Sequence, residues 1–293
     1  MLGSGLWSAL FCLLGYFFWQ SLATVEKYIG VGAAAFTTLV AIGLAIVFAR
    51  RLRRDPELRA RVQRRLDANP LVRRVRALPG WLGLELTTLA ALAGVGLYTY
   101  FWLASLLGTS QIARLDDEAF RIADALYIPM LIDVVSVLTH IGSLPVTLLA
   151  ALLTAGWAIR TRRATREGVA LIAAYALTFA AVHIGKAATD RPRPSHPHAS
   201  AEGLAYPSGH SAYAVALVAC AIVLSRGGHG LAARSALVGI AIAVAVGVAA
   251  SRVYLRVHYL SDVIGGLALG AAIFSLAGIV ALAVGAVRHN GRR

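Results

Sequence analysis

Runs of about 20 apolar residues recur along this chain, and a hydrocarbon layer ~30 Å thick requires that length of a spanning helix. Eight such runs are read, at roughly 5–24, 29–49, 86–107, 129–160, 168–188, 208–225, 235–255 and 262–287. Lipid offers no partners to backbone N–H and C=O groups, so segments of this kind must satisfy their own, and an all-α polytopic membrane protein is expected. With 58% hydrophobic and only 14% charged residues, an ordinary soluble domain is excluded. The fourth run is too long for one span and holds Gly142 and Pro145, so it is expected to be broken or partly re-entrant.

Lys and Arg set the orientation. Segments 50–80, 160–167, 226–234 and 288–293 carry 20 of the 28 basic residues and fall on one side of an eight-span arrangement. That side is read as cytoplasmic, together with both termini. The expected organisation is an N-terminal transmembrane helix pair (1–49), a basic cytoplasmic linker (50–80) punctuated by Pro56, Pro70, Pro79 and Gly80, and a six-helix domain (81–293). The net charge of +14 invites a nucleic-acid reading. However, 11 of the basic residues are arginines between Arg50 and Arg76, beside a long apolar run, and the others form no continuous face. Anionic headgroups or cytoplasmic water are therefore expected there, and no nucleic-acid partner. No Lys or Arg precedes Lys27, so the first apolar run lacks the basic start of a signal peptide and is read as a retained helix. Cys12 and Cys220 lie far apart in apolar runs, and no disulfide framework is read from them. Leu115 to Leu126, with Asp116, Asp117, Glu118 and Asp124 among apolar residues, is expected to form a short amphipathic helix on the outer surface, either solvated and without function or lying against the membrane.

Three segments place charged and hydrogen-bonding residues at span ends, where each is costly unless it serves something. The first runs from Lys186 to Pro194 and sets a lysine at a helix end seven residues before the pair Arg193-Pro194. Guanidinium forks and an ammonium suit phosphate oxygens, although an ordinary basic helix end has the same composition. The second is Tyr206-Pro207-Ser208-Gly209-His210, directly before an apolar run. A helix that starts there presents free backbone N–H groups to an anion, and His210 can give a proton to a leaving oxygen; a capped helix with an incidental histidine is the alternative. The third runs from Ser251 to Asp262 and holds Arg252, Arg256 and His258. Four residues apart, His258 and Asp262 share a face if the segment is helical, as a nucleophile with its orienting partner or as a satisfied buried pair.

Taken together and in this order, the segments resemble the three signatures of the type 2 phosphatidic acid phosphatase superfamily, K-x6-R-P, P-S-G-H and S-R-x5-H-x3-D, over about residues 80–290. That resemblance implies a six-helix membrane core with an outward-facing site. It makes His258 the nucleophile that forms a phosphohistidine, Asp262 its holder and His210 the general acid. Lys186, Arg193 and Arg252 would bind the phosphate oxygens, with Ser208 and the backbone of Gly209. No metal or other cofactor is implied, since fixed cations and N–H groups take the part metals have in other phosphatases. Arg256 departs from the pattern, because many members have glycine there; its cation is read either as favouring a diphosphate or as pairing with a carboxylate such as Glu202 or reaching lipid headgroups. His196 and His198 lack a nearby third zinc ligand. His183 and His140 are expected to pack in the helical core.

The expected activity is that of a lipid phosphatase of the outer face of the cell membrane, acting on undecaprenyl diphosphate or on phosphatidate or phosphatidylglycerophosphate. A lipid phosphotransferase using the same intermediate, and a non-catalytic transporter or scaffold, are the alternatives. Six intact motif residues speak against the last.

Overall fold

The computed structural model describes residues 51, 55–57, 80–162, 164–227 and 230–290. The chain divides into two compact units, Met1–Ala77 and Leu78–Arg293. The expected N-terminal helix pair and nearly all of the basic linker lie outside the described residues, so the second unit is the subject below.

Among the described residues the second unit is built of helices: α1 (Gly80–Leu106), α2 (Ser110–Ala125), α3 (Pro129–Leu138), a 3₁₀ turn (Thr139–Gly142), α4 (Leu144–Arg162), α5 (Thr165–Thr189), α6 (Gly209–Ser225), α7 (Leu231–Tyr254) and α8 (Leu260–Asn290). Five of them, α1, α4, α5, α7 and α8, are long and apolar enough to cross a membrane, and α6 is apolar but shorter at 17 residues. All six fall on apolar runs read from the sequence, five of them long enough to span. Their outer faces carry large apolar side chains such as Val95, Phe101, Leu153, Leu177, Ile240 and Val280, each more than 50% exposed. Water would penalise such a surface and lipid does not.

The fourth apolar run breaks where its glycine and proline suggested. Helix α3 ends in the 3₁₀ turn, Ser143 is extended, and α4 starts afresh with Pro145 in its first turn. Gly142 is needed at this break: a Cβ there would meet Val248 Cγ1 at 2.3 Å and the His210 carbonyl at 3.0 Å. The turn is thereby pressed against α7 and the first residues of α6. Together α2 and the segment from α3 through the turn bend by 118°.

Helix α2 begins five residues before the expected start, because the Thr109 side chain accepts the Ile112 N–H and caps it. Ile112, Asp116 and Phe120 recur every four residues and form its buried face. An acidic residue among them departs from the expected solvated helix, and its partners are given below.

The bundle core joins Tyr100, Leu103, Tyr175, Val182, Tyr206, Tyr213 and Leu269 with small residues such as Ala151, Ala212 and Ala216. Small residues let helices approach where lipid supplies no hydrophobic drive between them. One close approach is at Gly266 of α8, where a Cβ would lie 2.4 Å from the Ser208 carbonyl. That contact seats the start of α6 directly on the first turns of α8.

Candidate active site

The C-terminal ends of α5 and α7 and the N-terminal ends of α6 and α8 lie at one end of the bundle, and the three sequence segments meet there. The geometry starts at the end of α7. The Arg256 N–H bonds to the Val253 carbonyl at 2.9 Å and the Val257 N–H to the Arg252 carbonyl at 3.1 Å, the paired bonds of a Schellman ending. Such an ending needs a left-handed residue at its turn, and Arg256 takes it with φ +52°. This is the position where glycine is common in the family, since glycine adopts positive φ without a Cβ clash. Arg256 is held by Asp124, to which it donates at 3.0 and 2.6 Å, and by the Phe120 ring 4.8 Å below its guanidinium. The expected partner Glu202 is not the one used.

The turn delivers His258 into the site, 1% exposed, with its backbone N–H on the Arg252 carbonyl at 3.2 Å. The shared helix face expected for His258 and Asp262 is corrected here, because His258 precedes α8 and Asp262 belongs to its first turn. Asp262 Oδ2 accepts the Tyr259 N–H at 2.9 Å, the backward reach of an N3 carboxylate to the residue that starts the helix, and lies 3.4 Å from His258 Nδ1. The pair still forms, through a helix start rather than a helix face.

Around the imidazole stand three cations. Arg193 Nη1 lies 3.1 Å from His258 Nε2 and donates to the Val257 carbonyl at 2.6 Å, while Nε and Nη2 are held by the Glu202 and Gly203 carbonyls. Lys186 donates from the last turn of α5 to the Leu204 carbonyl. Arg252, 6% exposed, donates from Nη1 to Thr139 Oγ1 at 3.2 Å, and its buried Nε has no hydrogen-bond partner among the described residues. Burial, and then the charges of Arg193, Arg252 and Lys186, hold the His258 pKa well below the usual histidine value. The ring is therefore neutral at neutral pH, and Nε2 carries a lone pair.

Ser208 and Gly209 are buried where α6 begins, and the Ser208 N–H bonds to the Asp262 carbonyl at 2.9 Å. The Ser208 hydroxyl accepts from Ser211 at 3.0 Å. His210, in the first turn of α6, interacts electrostatically with Arg252 and His258. All eight residues singled out by sequence are thus brought to one place. His140 and His183, expected in the core, are instead exposed, each bonded to a carbonyl of its own helical segment. His198 packs on Tyr127, with ring centroids 5.0 Å apart. Among the described residues no group of three His, Cys, Asp or Glu side chains is placed to hold a metal ion.

The motifs did not single out three further residues at the site. Thr139 in the 3₁₀ turn binds both Arg252 and Ser251. Arg191 and Asp116 form ion pairs behind Asp262. Arg191 carries only the signal of a basic residue beside Arg193, Asp116 only that of one acid among four on a surface helix, and Thr139 none, since their partners are more than 70 residues away.

The PAP2 superfamily family model matches residues 167–283, which hold all three segments. Phosphatidylglycerophosphatase B of Bacillus subtilis (strain 168) is 30% identical over 188 residues, covering 62% of this chain and 91% of that protein. The chain belongs to the PAP2 superfamily. The crystal structure of a transmembrane PAP2 type phosphatidylglycerolphosphate phosphatase from Bacillus subtilis aligns with a TM-score of 0.59 and 25% identity, over 64% of this chain and 94% of that one. The chain is accordingly a multi-pass membrane phosphatase of the PAP2 type, as the three segments suggested.

Proposed function

We propose that this PAP2 phosphatase hydrolyses a lipid phosphate monoester through a phosphohistidine on His258 at the outer face of the membrane. The observation that carries this reading is the neutral, buried imidazole ringed by Lys186, Arg193 and Arg252, with the Arg252 Nε left unpartnered. An unpaired buried N–H of a cation is costly, and a phosphate oxygen is the partner it suits. In the first step Nε2 attacks phosphorus and the bond to the lipid oxygen breaks, while His210, which takes up a proton once the anionic phosphate of the substrate offsets the surrounding cations, gives that oxygen its proton. Water then attacks phosphorus and loses a proton to His210, and the P–N bond breaks, which returns neutral His258 and inorganic phosphate. The three cations, with Ser208 and the first N–H groups of α6, stabilise the charge on the equatorial oxygens at both steps.

A lipid substrate is supported by the groove beside the site. It has a volume of about 430 Å³, is almost wholly apolar, and runs between α3 and α7 along Leu131, Val135, Leu138 and Val248 to Ser251, next to Arg252. An acyl chain laid there would lie beside the α7 segment that carries Arg252. Among lipid phosphates, phosphatidylglycerophosphate or phosphatidate is favoured over undecaprenyl diphosphate. The extra cation that pointed to a diphosphate, Arg256, is committed to Asp124, and the relative from Bacillus subtilis is named for a phosphatidylglycerophosphatase activity. The uneven distribution of Lys and Arg supports a site on the outer face and a C-terminus in the cytoplasm.

Purified protein in detergent, assayed for phosphate release against these three lipids, tests the reading. The monoesters are expected to be turned over faster than undecaprenyl diphosphate, Arg256→Gly is expected to leave that ratio unchanged, and EDTA is expected to leave every rate unchanged. Activity lost to EDTA and regained with Mg²⁺ or Zn²⁺ would overturn the metal-independent mechanism.

A further inference from the structure

A carboxylate buried in a membrane protein is expensive unless paired, and Asp116 is 1% exposed. Its Oδ1 accepts the Ser261 N–H at 2.9 Å, and its Oδ2 accepts the Ser261 hydroxyl at 2.8 Å and Arg191 Nη2 at 2.7 Å. The other end of the Arg191 fork reaches the catalytic dyad, where Nη1 donates to Asp262 Oδ1 at 2.6 Å and to Ser261 Oγ at 2.7 Å. The guanidinium lies over the Tyr259 ring at 4.0 Å. One arginine thus bridges two buried carboxylates, one of them beside His258.

Two consequences follow for Asp262. A carboxylate turns easily about its last bond, so Arg191 on Oδ1 and the Tyr259 N–H on Oδ2 together fix the plane that aims Oδ2 at His258 Nδ1. An arginine alone would also drain the charge of Asp262, whereas Asp116 on its far side shares that charge. Asp262 then keeps the negative charge that offsets the positive ring created when Nε2 bonds phosphorus.

We propose that Asp116 and Arg191 are positioning residues of this phosphatase, which act through Asp262 to orient and electrostatically support His258. This rests on the phosphohistidine reading above. The same helix offers its own control. Asp124 also clasps α2 to the His258 segment, through Arg256, but touches neither Asp262 nor Arg191.

Kinetics of wild type, Asp116→Asn, Asp124→Asn, Asp262→Asn and the double variant Asp116→Asn/Asp262→Asn on phosphatidate in detergent test the proposal. Asp116→Asn is expected to lower kcat about tenfold with KM within about twofold of wild type, and Asp124→Asn to leave both within about twofold. In the Asp262→Asn background, Asp116→Asn is expected to cost less than about twofold, because the group it acts through is gone. Should Asp116→Asn not accumulate as folded protein, Arg191→Lys replaces it. An ammonium cannot hold both carboxylates as the fork does, and the same loss in kcat is expected. The proposal is overturned by a kcat for Asp116→Asn near wild type, by an equal loss in Asp124→Asn, or by a tenfold cost that persists without Asp262. Trapping of an acid-labile phosphoryl label on wild type judges the underlying reading separately. Its absence removes the nucleophile and this proposal together, while a labelled wild type with a full-speed Asp116→Asn removes the positioning role alone.

Discussion

His258→Ala is expected to abolish phosphate release, by at least about 10⁴-fold in kcat, and to leave a folded, membrane-inserted protein. The loss is large because no other described group is placed to take over. The ring supplies the lone pair, and burial together with the three cations keeps it neutral. The protein survives because the neighbours of His258 stay satisfied. Asp262 retains Arg191 and the Tyr259 N–H, and Arg193 retains its three carbonyls. His258→Gln, which keeps most of the volume, is expected to be equally inactive and more stable than His258→Ala, since it leaves a smaller void. Phosphate release by either variant at a rate near wild type would remove His258 from the chemistry.

Much of this arrangement is legible in the sequence, for physical reasons that differ by element. The spans stand out because hydrocarbon tolerates only long self-satisfied apolar helices, and the break at Gly142 because a glycine and a proline interrupt one of them. The phosphate-facing residues stand out because charges at span ends are costly and these recur at fixed spacings. The connection between His258 and Asp262 was hidden by an assumption of continuous helix. A Schellman ending at Arg256 and a new helix start at Leu260 occupy the segment instead, and with an arginine in the left-handed position no glycine marks the turn. In the sequence Asp116 is one of four acidic residues on a short surface helix, solvated or lying against the membrane. Its burial depends on Arg191 and Ser261, 75 and 145 residues away, and a single sequence does not report such pairings.

Arg252→Met is expected to separate activity from stability. Methionine keeps much of the apolar stem and removes the charge, so the change reads the guanidinium rather than the packing. Loss of one donor aimed at the transition-state oxygens is worth about 10²–10³ in kcat, and that loss is expected here. Stability is expected to move the other way. Arg252 Nε is buried without a partner and Nη1 has only the Thr139 hydroxyl, so the folded protein bears a desolvated charge that it offsets incompletely. Removing it is expected to leave the melting temperature unchanged or raised. Inorganic phosphate supplies the independent check. A ligand that binds the folded state stabilises it by mass action, by about 2.7 kcal/mol at 100 times its Kd, so phosphate is expected to raise the Tm of wild type and to do so far less for Arg252→Met. A variant that melts lower than wild type without phosphate, or gains as much from phosphate as wild type does, would show that Arg252 holds the bundle together rather than the substrate.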